Sequence, residues 1–173
     1  FKGGSGLKNG SQGARILYDR ERYQVQREVT ACTDSSQDGE YSDSCAIEMD
    51  RAPGEARGRM AAYVQFLDKQ TKARFWFVSL HLTPDTTDSN FDELRAKQLT
   101  TVLAKMDELN TEGLPMILTG DLNSWQTRAK GNVAQDVLLD AGFVDSFSTL
   151  FTVNEDFSTY TRGQTTPHRF AGG

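Results

Sequence analysis

Apolar residues recur along this chain in two rhythms. Residues 60–67 alternate, with Tyr63, Gln65 and Leu67 on one face and Val64 and Phe66 on the other, which predicts a strand. After the turn residues Asp68, Lys69, Gln70 and Thr71, residues 75–80 are almost continuously apolar, so they predict a strand buried on both faces and paired with the first as a hairpin. A weaker hairpin is predicted upstream, from the short apolar run 14–18, a charged turn at 19–22 and the alternation at 23–26. At Phe91 the period changes to that of a helix. Phe91, Leu94, Gln98, Leu99, Val102, Leu103, Met106 and Leu109 fall on one stripe, Ser89 or Asn90 can cap its start, and Gly113 with Pro115 ends it. Residues 116–119 then predict a short buried strand, too brief for a helix and set between Pro115 and Gly120. A shorter helix is expected over 132–141, with Val133, Val137 and Leu138 inward and Gly142 as its stop. The class expected is α/β, in one domain over residues 1–173, without internal repeats.

Two of these strands run directly into polar residues suited to chemistry. The strand 75–80 is followed by His81, and the strand 116–119 by Gly120, Asp121, Leu122 and Asn123. In extended chain, residues two apart point the same way, so the Asp121 carboxylate and the Asn123 amide are expected to enter one cleft. A plain Asx turn, with both side chains bonded to nearby backbone, reads the same residues equally well. The recurrence of the design at His81 favours a site.

Composition narrows the field only a little. A content of 37% hydrophobic residues supports a core, and no run of apolar residues is long enough to cross a membrane as a helix. The net charge of −5 is concentrated: residues 34–55 hold seven acidic residues against one arginine, and everything else sums to +1. The low charge therefore says little about whether a cleft takes a polyanion, and residues 32–57 are expected to form an acidic surface loop inserted in the domain. Cys32 and Cys45, the only cysteines, bracket a stretch without hydrophobic periodicity. A disulfide there would be worth about 3 kcal/mol and would belong to an oxidising compartment, so a secreted protein is expected, with two separate thiols as the alternative. The Asn9-Gly10-Ser11 sequon points weakly the same way. The glycine-rich residues 1–13 lack the Gly-Lys-Ser/Thr ending of a phosphate-binding loop, and no Gly-x-Ser-x-Gly elbow marks a serine hydrolase.

Val78-Ser79-Leu80-His81-Leu82, followed some 40 residues on by Ile117-Leu118-Thr119-Gly120-Asp121-Leu122-Asn123-Ser124, resembles the endonuclease/exonuclease/phosphatase superfamily. Deoxyribonuclease I, exonuclease III, inositol polyphosphate 5-phosphatases and neutral sphingomyelinases belong to it. The order also agrees, from Ile16-Leu17-Tyr18 through a helix containing Gln98 to Leu138-Leu139-Asp140-Ala141-Gly142-Phe143-Val144-Asp145, so the likeness spans most of 14–145. It implies a four-layer α/β/β/α sandwich, two sheets face to face with helices outside. It also implies a phosphoric ester hydrolase, acting on phosphodiesters or phosphomonoesters, with His81, Asp121 and Asn123 catalytic and Asp121 and Asn123 at a metal ion. Oxygen donors favour Mg2+, with Mn2+ or Ca2+ as substitutes.

Within that resemblance Asp121 would orient the attacking water or hold the metal, Asn123 would donate to a phosphoryl oxygen, and His81 would protonate a leaving oxygen or bind the phosphate. Two parts of the family pattern are missing: an upstream asparagine with a Gln-Glu, and a downstream Ser-Asp-His. His168, in Thr-Pro-His-Arg, does not match the latter and takes no role. The expectation is a central portion of a larger enzyme, monomeric and weakly active alone. Nucleic acid is one candidate substrate, a lipid or inositol phosphate another, and a non-catalytic secreted module on the same scaffold is the alternative in a different class. Trp125 is expected to plug the core edge, or else to stack on a base or sugar.

Overall fold

The computed structural model describes residues 14–26, 45–55, 58–85, 90–124 and 132–146, the side chain of Cys45 excepted. The expectations placed on 1–13, Cys32, Ser89, Trp125 and His168, and on a disulfide to Cys45, lie outside the described residues. Contacts group the chain into two compact units, Phe1–Val137 and Leu138–Gly173.

The first unit is built on a five-stranded sheet: β1 (Tyr23–Val25), β2 (Cys45–Met49), β3 (Arg59–Asp68), β4 (Arg74–His81) and β5 (Met116–Asp121), in the order β1-β3-β4-β5 with β2 also pairing β3. β1 and β2 share one edge of β3, since Tyr23 lies opposite Asp68 and Cys45 opposite Tyr63. The β3–β4 hairpin is as the alternation predicts, with Phe66 opposite Phe75 and Ala61 opposite Leu80. β4 and β5 are parallel, which requires a crossover, and α1 (Asp92–Leu109) supplies it.

The core lies between α1 and one face of the sheet, where Trp76, Val78, Leu80, Leu99, Val102 and Met106 are each 1% exposed or less. Burying side chains of this size contributes about 2 kcal/mol apiece. Asn110 ties the end of α1 into that core: its Oδ1 accepts from Trp76 Nε1 at 3.1 Å and from the Leu114 amide at 2.8 Å. At the other end Phe91 is the N-cap; Asn90 Oδ1 accepts from the Asp92 amide and Asp85 Oδ1 from the Phe91 amide, so Asn90 does serve the start of the helix.

Four expectations are corrected. Residues 14–18 are not a strand; β1 finds its partner in β3, whose long edge offers a continuous ladder. Part of the expected acidic loop 32–57 is β2, where Ile47 and Met49 are buried and Ala46 and Glu48 exposed, a period-two pattern outweighed in the sequence by its acidic neighbours. β4 is not buried on both faces: Trp76, Val78 and Leu80 are buried, while Phe75, Phe77 and Ser79 are half-buried. β5 is not a buried strand either, because it ends the sheet among the described residues, and Ile117 is 46% exposed.

Of the second unit, the described part is the end of α2 (Val133–Asp140) and the turn after it. Gly142, at φ +84°, stops the helix as expected, with its amide on Leu139 O and the Phe143 amide on Leu138 O. Inward residues of α2 are Ala134 and Leu138, with Val133 and Val137 half-buried.

Candidate active site

β4 and β5 end together. Their parallel register places His81 beside Asp121, and the ladder continues one step further through the Leu82 amide, which donates to Asp121 O at 2.9 Å. His81 Nε2 lies 3.8 Å from Asp121 Oδ2, with the histidine side chain 33% and the carboxylate 65% exposed. At this distance the two side chains are neighbours, just beyond hydrogen-bonding range. The pair is open to water on one side.

Gly120 makes the approach of the strands possible. Its φ is +137°, and a Cβ at that position would stand 1.9 Å from Leu80 O. Only glycine fits there.

Asn123 does not continue the strand. Its φ of +47° turns the chain into the left-handed region, which asparagine tolerates better than most residues. The Asn123 amide donates to Asp121 Oδ1 at 2.9 Å, the Asx turn foreseen as the alternative, while Asn123 Nδ2 donates to Leu82 O at 2.8 Å. The parallel projection expected from extended geometry is therefore corrected: Asn123 sits in a tight turn, its backbone amide on Asp121 and its side chain clamping the end of β5 to Leu82, the residue after His81. Turn and cluster coexist, since one Asp121 oxygen serves the turn and the other faces His81. Ser124 continues this scaffold, its Oγ donating to Asn132 Oδ1 at 2.5 Å.

Sequence reasoning missed the residues that hold the chain just beyond His81, namely Thr83, Arg95 and Gln98, all within 1% of full burial. Gln98 was on the predicted stripe; Arg95 was not, because a charged side chain on a helix is read as solvated.

Asp121 and Asn123 are oxygen donors of the kind a hard divalent cation takes, but such a cation wants six or more. Among the described residues no group of three or more His, Cys, Asp or Glu side chains is placed to hold a metal ion. These residues alone do not make a metal centre. What they offer by themselves is an imidazole, a carboxylate beside it, and an amide-fixed turn at the mouth of a strand pair.

No family model matches the sequence, and no curated protein matches it. Solved structures do. An endonuclease/exonuclease/phosphatase family protein from Bacteroides thetaiotaomicron superposes with a TM-score of 0.50 at 21% identity, over 72% of this chain and 39% of the other. A mannosyl-6-phosphatase of Bacteroides thetaiotaomicron VPI-5482 gives the same TM-score and identity, over 72% of this chain and 40% of its own. The chain thus spans about two-fifths of the length of these structures. The resemblance read in the Ser-Leu-His and Gly-Asp-x-Asn stretches holds in three dimensions: the chain has the fold of the endonuclease/exonuclease/phosphatase family.

Proposed function

We propose that this chain carries part of the active site of a phosphoric ester hydrolase, with His81, Asp121 and Asn123 as its residues. The observation that supports this most is the meeting of His81 Nε2 and Asp121 Oδ2 at 3.8 Å across the ends of two parallel strands. In open α/β sheets, ligands bind beyond the carboxyl ends of parallel strands, which is where this pair stands. His81 would donate a proton to the leaving oxygen or a hydrogen bond to the phosphoryl group, and Asp121 would accept from the attacking water. Asn123, with one N–H on Leu82 O, keeps its second N–H for a phosphoryl oxygen. Because its placement is fixed by the turn, that donor would be preorganised toward charge that grows in the transition state.

A divalent cation, Mg2+ first and Mn2+ or Ca2+ in its place, belongs to the proposal with Asp121 and Asn123 among its ligands. Its remaining donors would come from outside the described residues. Phosphomonoesters rank beside phosphodiesters as substrates, a sugar phosphate being what one structure of the same fold is named for. Among the described residues no helix is long and apolar enough to cross a membrane; a monomeric state is part of the proposal. Secretion remains part of the proposal through Cys32 and Cys45, and thiol titration of the unfolded protein with and without reductant tests it.

The test of function is hydrolysis of p-nitrophenyl phosphate and bis-p-nitrophenyl phosphate by the full-length protein, with Mg2+ and with a chelator. His81→Ala should cut turnover roughly 100-fold with the fold intact. Turnover at the level of the unsubstituted protein would remove His81 from the site, and hydrolysis undiminished by the chelator would remove the metal.

A further inference from the structure

Behind the candidate site, on the side of α1, lies a buried polar cluster that the functional reading leaves unexplained. Arg95 and Gln98 are both 0% exposed. A permanently charged guanidinium and a carboxamide are costly to bury unless every bond they lose to water is replaced. Four of their six bonds go to one short segment, Thr83 to Asp85, and Arg95 Nε has no partner among the described residues. Gln98 Oε1 accepts from the Thr83 amide at 3.1 Å, and Gln98 Nε2 donates to Thr83 Oγ1 at 2.9 Å and to Asp50 O at 2.6 Å. Arg95 Nη1 donates to Thr83 O and to Asp85 Oδ1, both at 2.9 Å, and Arg95 Nη2 donates to Asp92 Oδ1 at 2.5 Å. All three polar groups of Thr83 are held from one helix.

Thr83 is two residues beyond His81 and next to Leu82, whose amide donates to Asp121 O and whose carbonyl accepts Asn123 Nδ2. An unbroken line of hydrogen bonds and peptide planes therefore runs from α1 through Thr83 and Leu82 to both members of the Asp121–Asn123 turn. Gln98 extends it to Asp50, just past the end of β2. If burial of the sheet face were the whole purpose of α1, leucine at positions 95 and 98 would serve better than a charge and an amide, since replacing buried polar groups by apolar ones of similar size is often neutral or stabilising.

We propose that Arg95 and Gln98 are positioning residues, which set the backbone of Leu82 and Thr83 and through it the placement of His81, Asp121 and Asn123. Its catalytic consequence rests on the phosphoesterase reading; its geometry does not. Sites of this kind lose rate when a supporting shell lets a reacting group drift by an ångström.

The test is made on the chain without substrate first. By NMR, the Asn123 side-chain N–H resonances, the Leu82 amide and the His81 ring protons are followed in Gln98→Leu, Arg95→Lys and the near-isosteric Thr83→Val, with Thr100→Ala on the exposed face of the same helix as control. In the substituted proteins whose spectra remain folded, Asn123 Nδ2 and the Leu82 amide should exchange with solvent roughly tenfold faster and His81 should shift, while Thr100→Ala changes neither. Thr83→Val, which removes a single hydroxyl, keeps the test available should either α1 variant fail to fold. Unchanged exchange at Asn123 and Leu82 in a folded Gln98→Leu or Thr83→Val would overturn the proposal. In the active full-length protein the same variants should lower kcat roughly 10- to 100-fold with little change in KM. Altered NMR signals with unaltered kcat would leave the coupling standing and count against His81, Asp121 and Asn123 as the residues of the proposed site instead.

Discussion

Gly120 and Asn123 show how much of the site is decided at single residues. At Gly120 the constraint is steric twice over, from a positive φ and from Leu80 O in the place a Cβ would take. Gly120→Ala should therefore destabilise the protein by about 3 kcal/mol, measured by denaturant unfolding, or force β5 away from β4 and lose the register that sets Asp121 beside His81. Asn123 carries a clamp on Leu82 O as well as any donor to substrate. Asn123→Asp keeps the size but sets a carboxylate oxygen against that carbonyl, so it should cost both stability and activity, whereas a residue serving substrate alone would cost activity only. The Gly-Asp-x-Asn spacing is visible in sequence. That the asparagine bonds back to the neighbouring strand is not, because its partner lies 41 positions away.

Elements that alternate cleanly were legible, and those whose burial depends on neighbours were not. The β3–β4 hairpin and α1 follow directly from their periods. β2 hides behind its charges, although Ile47 and Met49 alternate with Ala46 and Glu48, and β5 reads as buried although its apolar residues lie at a sheet edge. Arg95 defeats periodicity outright, since its Nη atoms are met by Thr83 O and the Asp85 carboxylate of the loop it holds and by Asp92 of its own helix, while Nε has no partner among the described residues. The β3–β4 turn carries a prediction of its own. Burial raises the tendency of the Asp68 carboxyl to stay protonated, but amide donors from Gln70 and Thr71 and the Arg22 guanidinium, 3.1 Å away, outweigh it and hold the carboxyl below the usual carboxylate range. A depressed folded value means that its stabilisation is present above the ordinary carboxylate range and is lost as the pH falls through the folded value. Asp68→Asn should lower stability at neutral pH and flatten the loss of stability in acid; parallel curves from pH 7 down to strongly acid conditions, compared by thermal unfolding, would contradict this.

At the scale of the molecule, one sheet, one crossover helix and one turn are enough to bring together His81 and Asp121, residues 40 positions apart in sequence. The α/β fold expected from two short motifs is the fold found, over about two-fifths of the length of the structures that share it, and the described residues show one sheet of it. The substrate of the proposed hydrolase is not legible in the sequence, which carries no basic stripe and no other mark of one ester class. In the proposed function His81 and Asp121 act as one unit on a phosphate ester. A double-mutant cycle on turnover of the full-length protein with Mg2+ addresses it most directly. If the claim holds, His81→Ala and Asp121→Ala each cost roughly 100-fold, and the double substitution costs little more than the worse single one. Fully additive losses would separate the two residues, and near-normal turnover in both singles would contradict the account.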